Sequence, residues 1–568
     1  MKLITDHKSD YQIVIASQPT ESQLYAGTEL SKYLSAITGA SLPVVTDAAA
    51  AKDFEIVLGK TNREGTPCTC GLKNDGYKMV TVGEKLFLTG MNDRATLYAV
   101  YAFLEDYCGV RFLTHDVEHI PQRADLAFGK LDVTRESWLE YRETFWHEPQ
   151  AYPDYAIKRG FNGFISHNCE AKHGGGYLYH GFAHTLFSYV SPDEYFDTHP
   201  EYFSMIDGKR IKERTQLCMT NPEVLEITKK KLRQNIIDHP ECVIFGLTQM
   251  DWYNPCQCPE CRKVYEEEGA VSGAYLRFVN ACAESIAEEF PDIVIDTFAY
   301  QFTRQAPKIT KPAPNVCVRI CSIECCFSHP LDQCDEIVYP FKDKVVGDAT
   351  FQQDLRDWHA ICDRMFVWDY TTNYRFYLAP FANFQVLQAN EKFFKENGVT
   401  GIFEQGNAQS ASGEFGELRA YIISRLMWDL DGDVGLWMDE FLTGYYGQAA
   451  APIRAYLDLL EKHVTENKVH MGIYDDPRWY LPDELLEKAN ALWNEAEAAA
   501  EDEAVLARVQ KSRLQLRYAQ VQRMPMEDPK RAEMVEELVA DCGKFGITHI
   551  REAGDPNRGF EMLRTGKY

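Results

Sequence analysis

Four carboxyl groups in this chain stand at or near the ends of short apolar runs. Asp251 closes CVIFGLTQMD, Glu324 closes VCVRICSIE, Asp369 lies in MFVWDY and Glu404 in VTGIFEQG. Acids gathered in one partly desolvated place have their pKa values pushed apart, so that one can hold a proton while another stays ionised. Cleavage of a glycosidic bond needs that division. One carboxyl group protonates the leaving oxygen, and a second anionic or acyl group supports the oxocarbenium-like transition state. A lone acid at a strand end is as readily a salt bridge or a loop cap, whereas four at equivalent positions point to a site. The groups beside them suit a sugar: Trp146 and His147 in ETFWHE, His167 and Asn168 ending FNGFISHN, Trp252 after Asp251, Tyr300 ending IVIDTFAY, and Trp368, Tyr370 and Gln405. Aromatic residues make up 12% of the chain, so some of these belong to the core.

Two further clusters carry possible chemistry. HNCEAKHGGGYLYHGFAHTLF holds histidines 167, 173, 180 and 184 in a glycine-rich stretch. Binding of sugar hydroxyls needs only polar reach, whereas a metal needs convergent ligands, so this stretch, His184 included, reads as a substrate-binding rim. The plainer reading is a lid packed by its own histidines and tyrosines. CQCPEC places Cys256, Cys258 and Cys261 just after Asp251, but no second C-x-x-C or Cys/His pair at zinc-finger spacing accompanies them. Reduced thiols or a turn are the expectation there, with a structural zinc as the alternative, and no metal or cofactor is expected in the catalytic chemistry.

Eight β-type runs recur between residues 143 and 406: 143–148, 161–168, 215–220, 242–251, 293–300, 316–324, 365–370 and 399–406. Helical intervals follow several of them, at 222–238, 272–290, 351–363, 383–397 and 412–429. Alternation of strand and helix predicts parallel strands, and eight of them predict a closed α/β barrel of the (β/α)8, or TIM, type. In such a barrel the C-terminal strand ends form the active-site face, where the four acids fall. Residues 1–135 read as a smaller α/β domain, with strands at 11–17 and 54–60, a hairpin turning at Gly83-Glu84, and a helix over 92–109 capped by Asn92 or Asp93. Residues 136–431 form the expected barrel. Residues 432–568 read as a helical domain.

Composition narrows the partners. With 85 acidic and 59 basic residues the net charge is −26, which repels nucleic-acid phosphates and anionic lipid. MKLITDHKSDYQIVIASQ lacks an apolar signal core and no other stretch reaches membrane-span length, so a cytoplasmic protein with mostly reduced cysteines is expected. Homo-oligomerisation is left open.

Several stretches also resemble a known family. HTLFSYVSPDEYFDTHPEYFSMIDGKR, QLCMTNPEV, QMDWYNPCQCPEC, SIECCFSHPLDQC, FVWDYTTNY, GIFEQGN and DEFLTGYYGQAA look like glycoside hydrolase family 163, which grew out of domain of unknown function 4838. GYKMVTVGEKLFLTGMNDRATLYAVYAFLEDYCGVRFL is similar to the non-catalytic domain of family 20 hexosaminidases and family 67 α-glucuronidases. The resemblance implies an endo-β-N-acetylglucosaminidase type of activity: retaining hydrolysis with the 2-acetamido oxygen of the substrate as nucleophile, an exception to the two-carboxylate scheme. The adjacent Asp-Glu pair of family 20 is replaced here by Gln249-Met250-Asp251. Glu404, Asp251 and Glu324 are therefore the expected catalytic set, with Asp369 as a fourth, acting on an oligosaccharide or glycoside. The alternatives are an exo-glycosidase such as an α-glucuronidase, marked by Arg or Lys against a uronate carboxylate, and a sugar-binding protein without catalysis.

Overall fold

The computed structural model describes residues 1–163, 169–338 and 350–567. Its N-terminal part is a six-stranded sheet: β1 (Gln12–Ile15), β2 (Val44–Thr46), β3 (Glu55–Leu58), β4 (Tyr77–Val82), β5 (Lys85–Gly90) and β6 (Asp132–Arg135), in the order β6-β4-β5-β3-β1-β2. β1 and β3 are buried at every position, as strands covered on both faces must be. Helices α1 (Glu21–Thr38) and α2 (Asp93–Asp106) pack together and onto this sheet. Asn92, not Asp93, caps α2, its side chain accepting the Ala95 N–H at 2.8 Å.

The central part is a seven-stranded, all-parallel sheet. Its strands are β7 (Tyr141–Thr144), β8 (Tyr179–His180), β9 (Ile244–Gly246), β10 (Val294–Ala299), β11 (Val316–Cys321), β12 (Met365–Tyr370) and β13 (Val399–Gln405), in the order β7-β13-β12-β11-β10-β9-β8. Between the two end strands lies Gly163, whose N–H donates to the Arg142 carbonyl at 3.1 Å and which bridges Tyr177 in parallel. The rest of the expected second strand, 164–168, lies outside the described residues, His167 and Asn168 with it.

Three of the expected strands shift. TQLCMT is not in the sheet: Leu217 makes only an isolated antiparallel bridge to Phe203, and the place is taken by β8 from the histidine-rich stretch. Its Gln216 side chain instead donates to the carbonyls of Met250 and Trp252. ETFWHE shares only Glu143 and Thr144 with β7, which begins two residues earlier at Tyr141 and stops short of the helix that His147 opens, His147–Ala151. CVIFGLTQMD contributes only Ile244–Gly246, since a run of this length supplies apolar residues beyond those the ladder uses.

The expected helix 222–238 is present over its whole length as α3 (Pro222–Asp238), and the others have shorter ends, as α4 (Ser272–Ala287), α5 (Phe351–His359), α6 (Phe384–Glu396) and α7 (Gly416–Leu426). Beyond them the chain is helical, through Val434–Tyr446, Ala450–Glu466, Asp483–Ala499, Glu503–Arg523, Pro529–Lys544 and Asn557–Thr565. One apolar cluster joins Phe376 and Leu378, from the loop after β12, to Leu514, Tyr518, Leu538 and Leu563. That cluster brings the last segment of the chain over the strand ends. No helix among the described residues is long and apolar enough to cross a membrane. Cys68 and Cys70 are disulfide-bonded and the other fifteen cysteines are free.

Candidate active site

A cavity of about 280 Å³ opens at the C-terminal ends of the parallel strands. Its walls are aromatic, with Phe298, Tyr300, Trp368, Tyr370, Tyr374 and Tyr474, and its acids are Asp251 and Glu552. Strand parity decides what faces it. Successive side chains of a strand point to opposite faces, and β12 pairs with β13 so that Trp368 lies beside Phe403, Asp369 beside Glu404, and Tyr370 beside Gln405. Trp368, Tyr370 and Gln405 line the cavity. Asp369 and Glu404 therefore point the other way.

The floor is fixed from below. The Arg319 guanidinium packs against Phe182, Phe298 and Trp368 at 4.0, 4.9 and 5.2 Å from their ring centres and pairs with Asp296 at 2.5 Å. Burial raises the Asp296 pKa to about 6 against the pull of Arg319. Trp368 then donates from Nε1 to Gln405 Oε1 at 2.6 Å, and Gln405 Nε2 stands 3.5 Å from Glu552 Oε1.

Asp251 follows β9 and projects toward solvent, its side chain 58% exposed. Tyr300 Oη donates to Asp251 Oδ1 at 2.9 Å and itself accepts from Gln301 Nε2 at 2.8 Å. Burial and the Asp251 charge lift the Tyr300 pKa well above the phenolic range, so it remains a donor. His184 comes from a loop laid directly on β9, where a Cβ on Gly246 would stand 2.2 Å from the Gly181 carbonyl oxygen. His184 has φ of 56°, and its Nδ1 lies 2.7 Å from the Gln249 carbonyl. A carbonyl only accepts, so Nδ1 carries the proton and Nε2 faces Asp251 at 3.8 Å.

Glu552 arrives from the last segment of the chain, its N–H donating to the Tyr374 carbonyl at 2.7 Å. Its side chain is open to solvent on one side, yet the surrounding protein and the Asp251 charge raise its pKa above the ordinary carboxylate value. Two acids with different surroundings thus share one aromatic cavity.

The remaining expected residues are placed elsewhere. Glu324 is buried in an ion pair with Arg304, which also holds Asp354 at 2.5 Å. Asp369 and Glu404, 2% and 1% exposed, lie on the face of the sheet turned toward α6, which contributes the buried Glu391. Ser322 donates to Asp369, and burial raises the Asp369 pKa to about 6. Burial, then Asp369 and Glu391, raise the pKa of Glu404 well above the carboxylate range. These three acids do not line the cavity. Trp146 is not a platform either: it is 1% exposed, donates from Nε1 to Thr371 Oγ1 at 3.0 Å, and packs so closely that a Cβ on Gly406 would be 2.4 Å from its ring. His147 starts its helix with its N–H on the Asn407 carbonyl. Trp252 donates from Nε1 to the Thr215 carbonyl at 2.5 Å and lines a neighbouring cavity that also contains Asp251. Of the other loop histidines, His173 is buried against Asp154 and His180 stacks on His239. Glu552 and Tyr474 had no strand-end signal in the sequence. They reach the site through tertiary packing of the C-terminal segments.

Residues 3–103 match the glycosyl hydrolase family 67 N-terminus. Among solved structures, a family GH115 4-O-methyl-α-glucuronidase with specificity for decorated arabinogalactans superposes with a TM-score of 0.54 at 10% identity, covering 96% of this chain and 77% of that one. A variant of CpGH89 from Clostridium perfringens, in complex with its substrate GlcNAc-α-1,4-galactose, gives 0.52 at 11% identity, covering 92% and 64%. No curated protein matches. The chain thus carries a family 67-like N-terminus ahead of a fold that it shares with two glycoside hydrolases. Residues 112–458 match the family described as Domain of unknown function (DUF4838), and the chain belongs to that family.

Proposed function

We propose that the chain is a retaining β-N-acetylglucosaminidase-type hydrolase of oligosaccharides or glycosides, acting in the aromatic cavity between Asp251 and Glu552. Glu552, with its raised pKa, holds a proton for the leaving oxygen. Asp251, oriented by Tyr300, accepts the N–H of the 2-acetamido group, so that the acetamide oxygen is aimed at the anomeric carbon. That oxygen forms the bond to carbon as the glycosidic bond breaks and Glu552 delivers its proton. Ionised Glu552 then takes a proton from the water that opens the oxazolinium-like intermediate. The aromatic walls bind the sugar face, and Gln405 reaches its hydroxyls.

The observation that carries this reading is the pairing of two acids with six aromatic rings around one cavity. Among its described lining residues there is no Arg or Lys, so a uronate carboxylate would meet two acids and no cation. This favours a neutral sugar over a glucuronide. The contacts of Gly163 to Arg142 and Tyr177 support reading the sheet as a closed barrel, flanked by domains 1–135 and 432–568.

Initial rates on 4-nitrophenyl β-N-acetylglucosaminide, β-glucoside and α-glucuronide test the substrate class. Turnover is expected on the first and not on the last. Faster turnover of the glucuronide would overturn the assignment, and saturable binding without turnover of any glycoside would make the chain a carbohydrate-binding protein.

A further inference from the structure

Cys218, in the TQLC segment displaced from the sheet, lies against the CQCPEC turn. Its Sγ is 3.7 Å from that of Cys258 and 3.8 Å from that of Cys261, and all four Sγ atoms of Cys218, Cys256, Cys258 and Cys261 fall within 4.8 Å of one another. A tetrahedron of thiolates with Zn–S bonds of about 2.3 Å has S···S edges of about 3.8 Å, whereas a disulfide needs about 2.05 Å. The spacing is that of ligands around an ion.

The surroundings agree with charged sulfurs. All four cysteines are buried. The Met205 N–H and the Arg210 guanidinium both point at Cys256 Sγ, at 3.4 and 3.5 Å, and the Thr220 hydroxyl lies 3.2 Å from Cys261 Sγ. Donors around the sulfurs and a neighbouring cation are what a closed four-thiolate site requires beyond its ligands. Soft sulfur ligands in a closed tetrahedral set select zinc over magnesium or calcium.

We infer that Cys218, Cys256, Cys258 and Cys261 bind a structural zinc ion. It fastens the 215–220 segment to the turn after Asp251, where Gln216 already holds the Met250 and Trp252 carbonyls.

A second set of side chains carries the same inference independently. Cys326, His329, Cys334 and His470 also have their ligand atoms within 4.8 Å of one another. Cys326 Sγ stands 3.3 Å from His329 Nδ1, and Cys334 Sγ stands 3.4 Å from His470 Nδ1. These are spacings suited to a Cys2His2 zinc site. It joins the loop after β11 to the segment bearing Tyr474, so the two ions pin different walls of the cavity.

The test is metal content of the full chain, expressed with zinc in the medium, purified without metal-affinity resin and dialysed before mass spectrometry. About two zinc ions per chain are expected, falling to about one in Cys218→Ser and, separately, in His470→Ala. Zinc retained in full by Cys218→Ser overturns the four-cysteine site, and zinc retained in full by His470→Ala overturns the second. A wild-type chain without zinc overturns both. If either variant fails to fold, stepwise thiol modification of the wild-type chain decides instead. Zinc release should track blocking of cysteines 218, 256, 258 and 261 as one group and of 326 and 334 as another, and release that tracks neither group rejects both sites.

Discussion

Glu404 and Gln405 are neighbours in the chain but face opposite sides of the sheet, and only Gln405 reaches the cavity. The sequence marked polar residues closing apolar runs, and of the residues singled out there Asp251, His184, Tyr300, Trp368, Tyr370 and Gln405 line the cavity. It did not reveal parity. In MFVWDY and VTGIFEQ both faces are packed, so apolar and polar residues do not alternate and nothing in the pattern says which side faces the mouth. Trp146 and Trp368 show the same ambiguity for aromatics. Trp146→Ala should lower the unfolding free energy by about 3–5 kcal/mol, as expected for a buried ring in a close-packed site, which denaturant titration will measure. Trp368→Ala should chiefly raise KM with kcat little changed, since a sugar platform serves ground and transition states alike. A Trp146 variant of normal stability with a raised KM would reverse the two assignments.

The layer between β12, β13 and α6 holds Asp369, Glu404 and Glu391, a group of buried carboxyls whose raised pKa values come first from desolvation. Their folded-state values lie above those of an unfolded chain. Their stabilisation is therefore complete below the ordinary carboxyl pKa of about 4 and is lost as pH rises through the folded values. Asp296 and Asp354, each raised to about 6, add to the same slope. Asp75 and Asp154 are held low, Asp75 chiefly by Arg94 and Arg142 against its burial and Asp154 by His173, so they matter only in more acidic solution. Tm should accordingly fall between about pH 5 and pH 8, and Glu404→Gln, which cannot ionise, should flatten that fall. A Tm that rises over this range would contradict the protonated layer. The displaced TQLCMT run shows the limit of sequence reading at this scale: a short apolar segment fits a strand or a buried tether equally well until its partners are known.

Across the whole molecule, the cavity borders two others, one sharing Asp251 and lined by Trp252 and Tyr253, the other sharing Tyr474 and lined by Trp479 and Arg375. A row of hollows suits several sugar units. kcat/KM should rise about tenfold or more from an aryl monosaccharide to a chito-oligosaccharide, equivalent to ~1.4 kcal/mol of added transition-state binding. No rise would confine recognition to one unit. The order of sheets and helices was legible from apolar periodicity, but the arrival of Glu552 at the site was not, because it depends on the helices after residue 432 packing onto Phe376 and Leu378. The proposed catalytic acids are Asp251, in the loop after β9, and Glu552, from the chain's last segment. Single-turnover rates of Asp251→Asn, Glu552→Gln and Glu404→Gln on a natural-type glycoside test this assignment most directly. The first two should each lose about 100-fold or more with the fold intact, Glu552→Gln being partly rescued by an aryl glycoside with a good leaving group, while Glu404→Gln stays within a few-fold of the wild-type chain. Loss of activity in Glu404→Gln with Glu552→Gln unaffected would contradict the account.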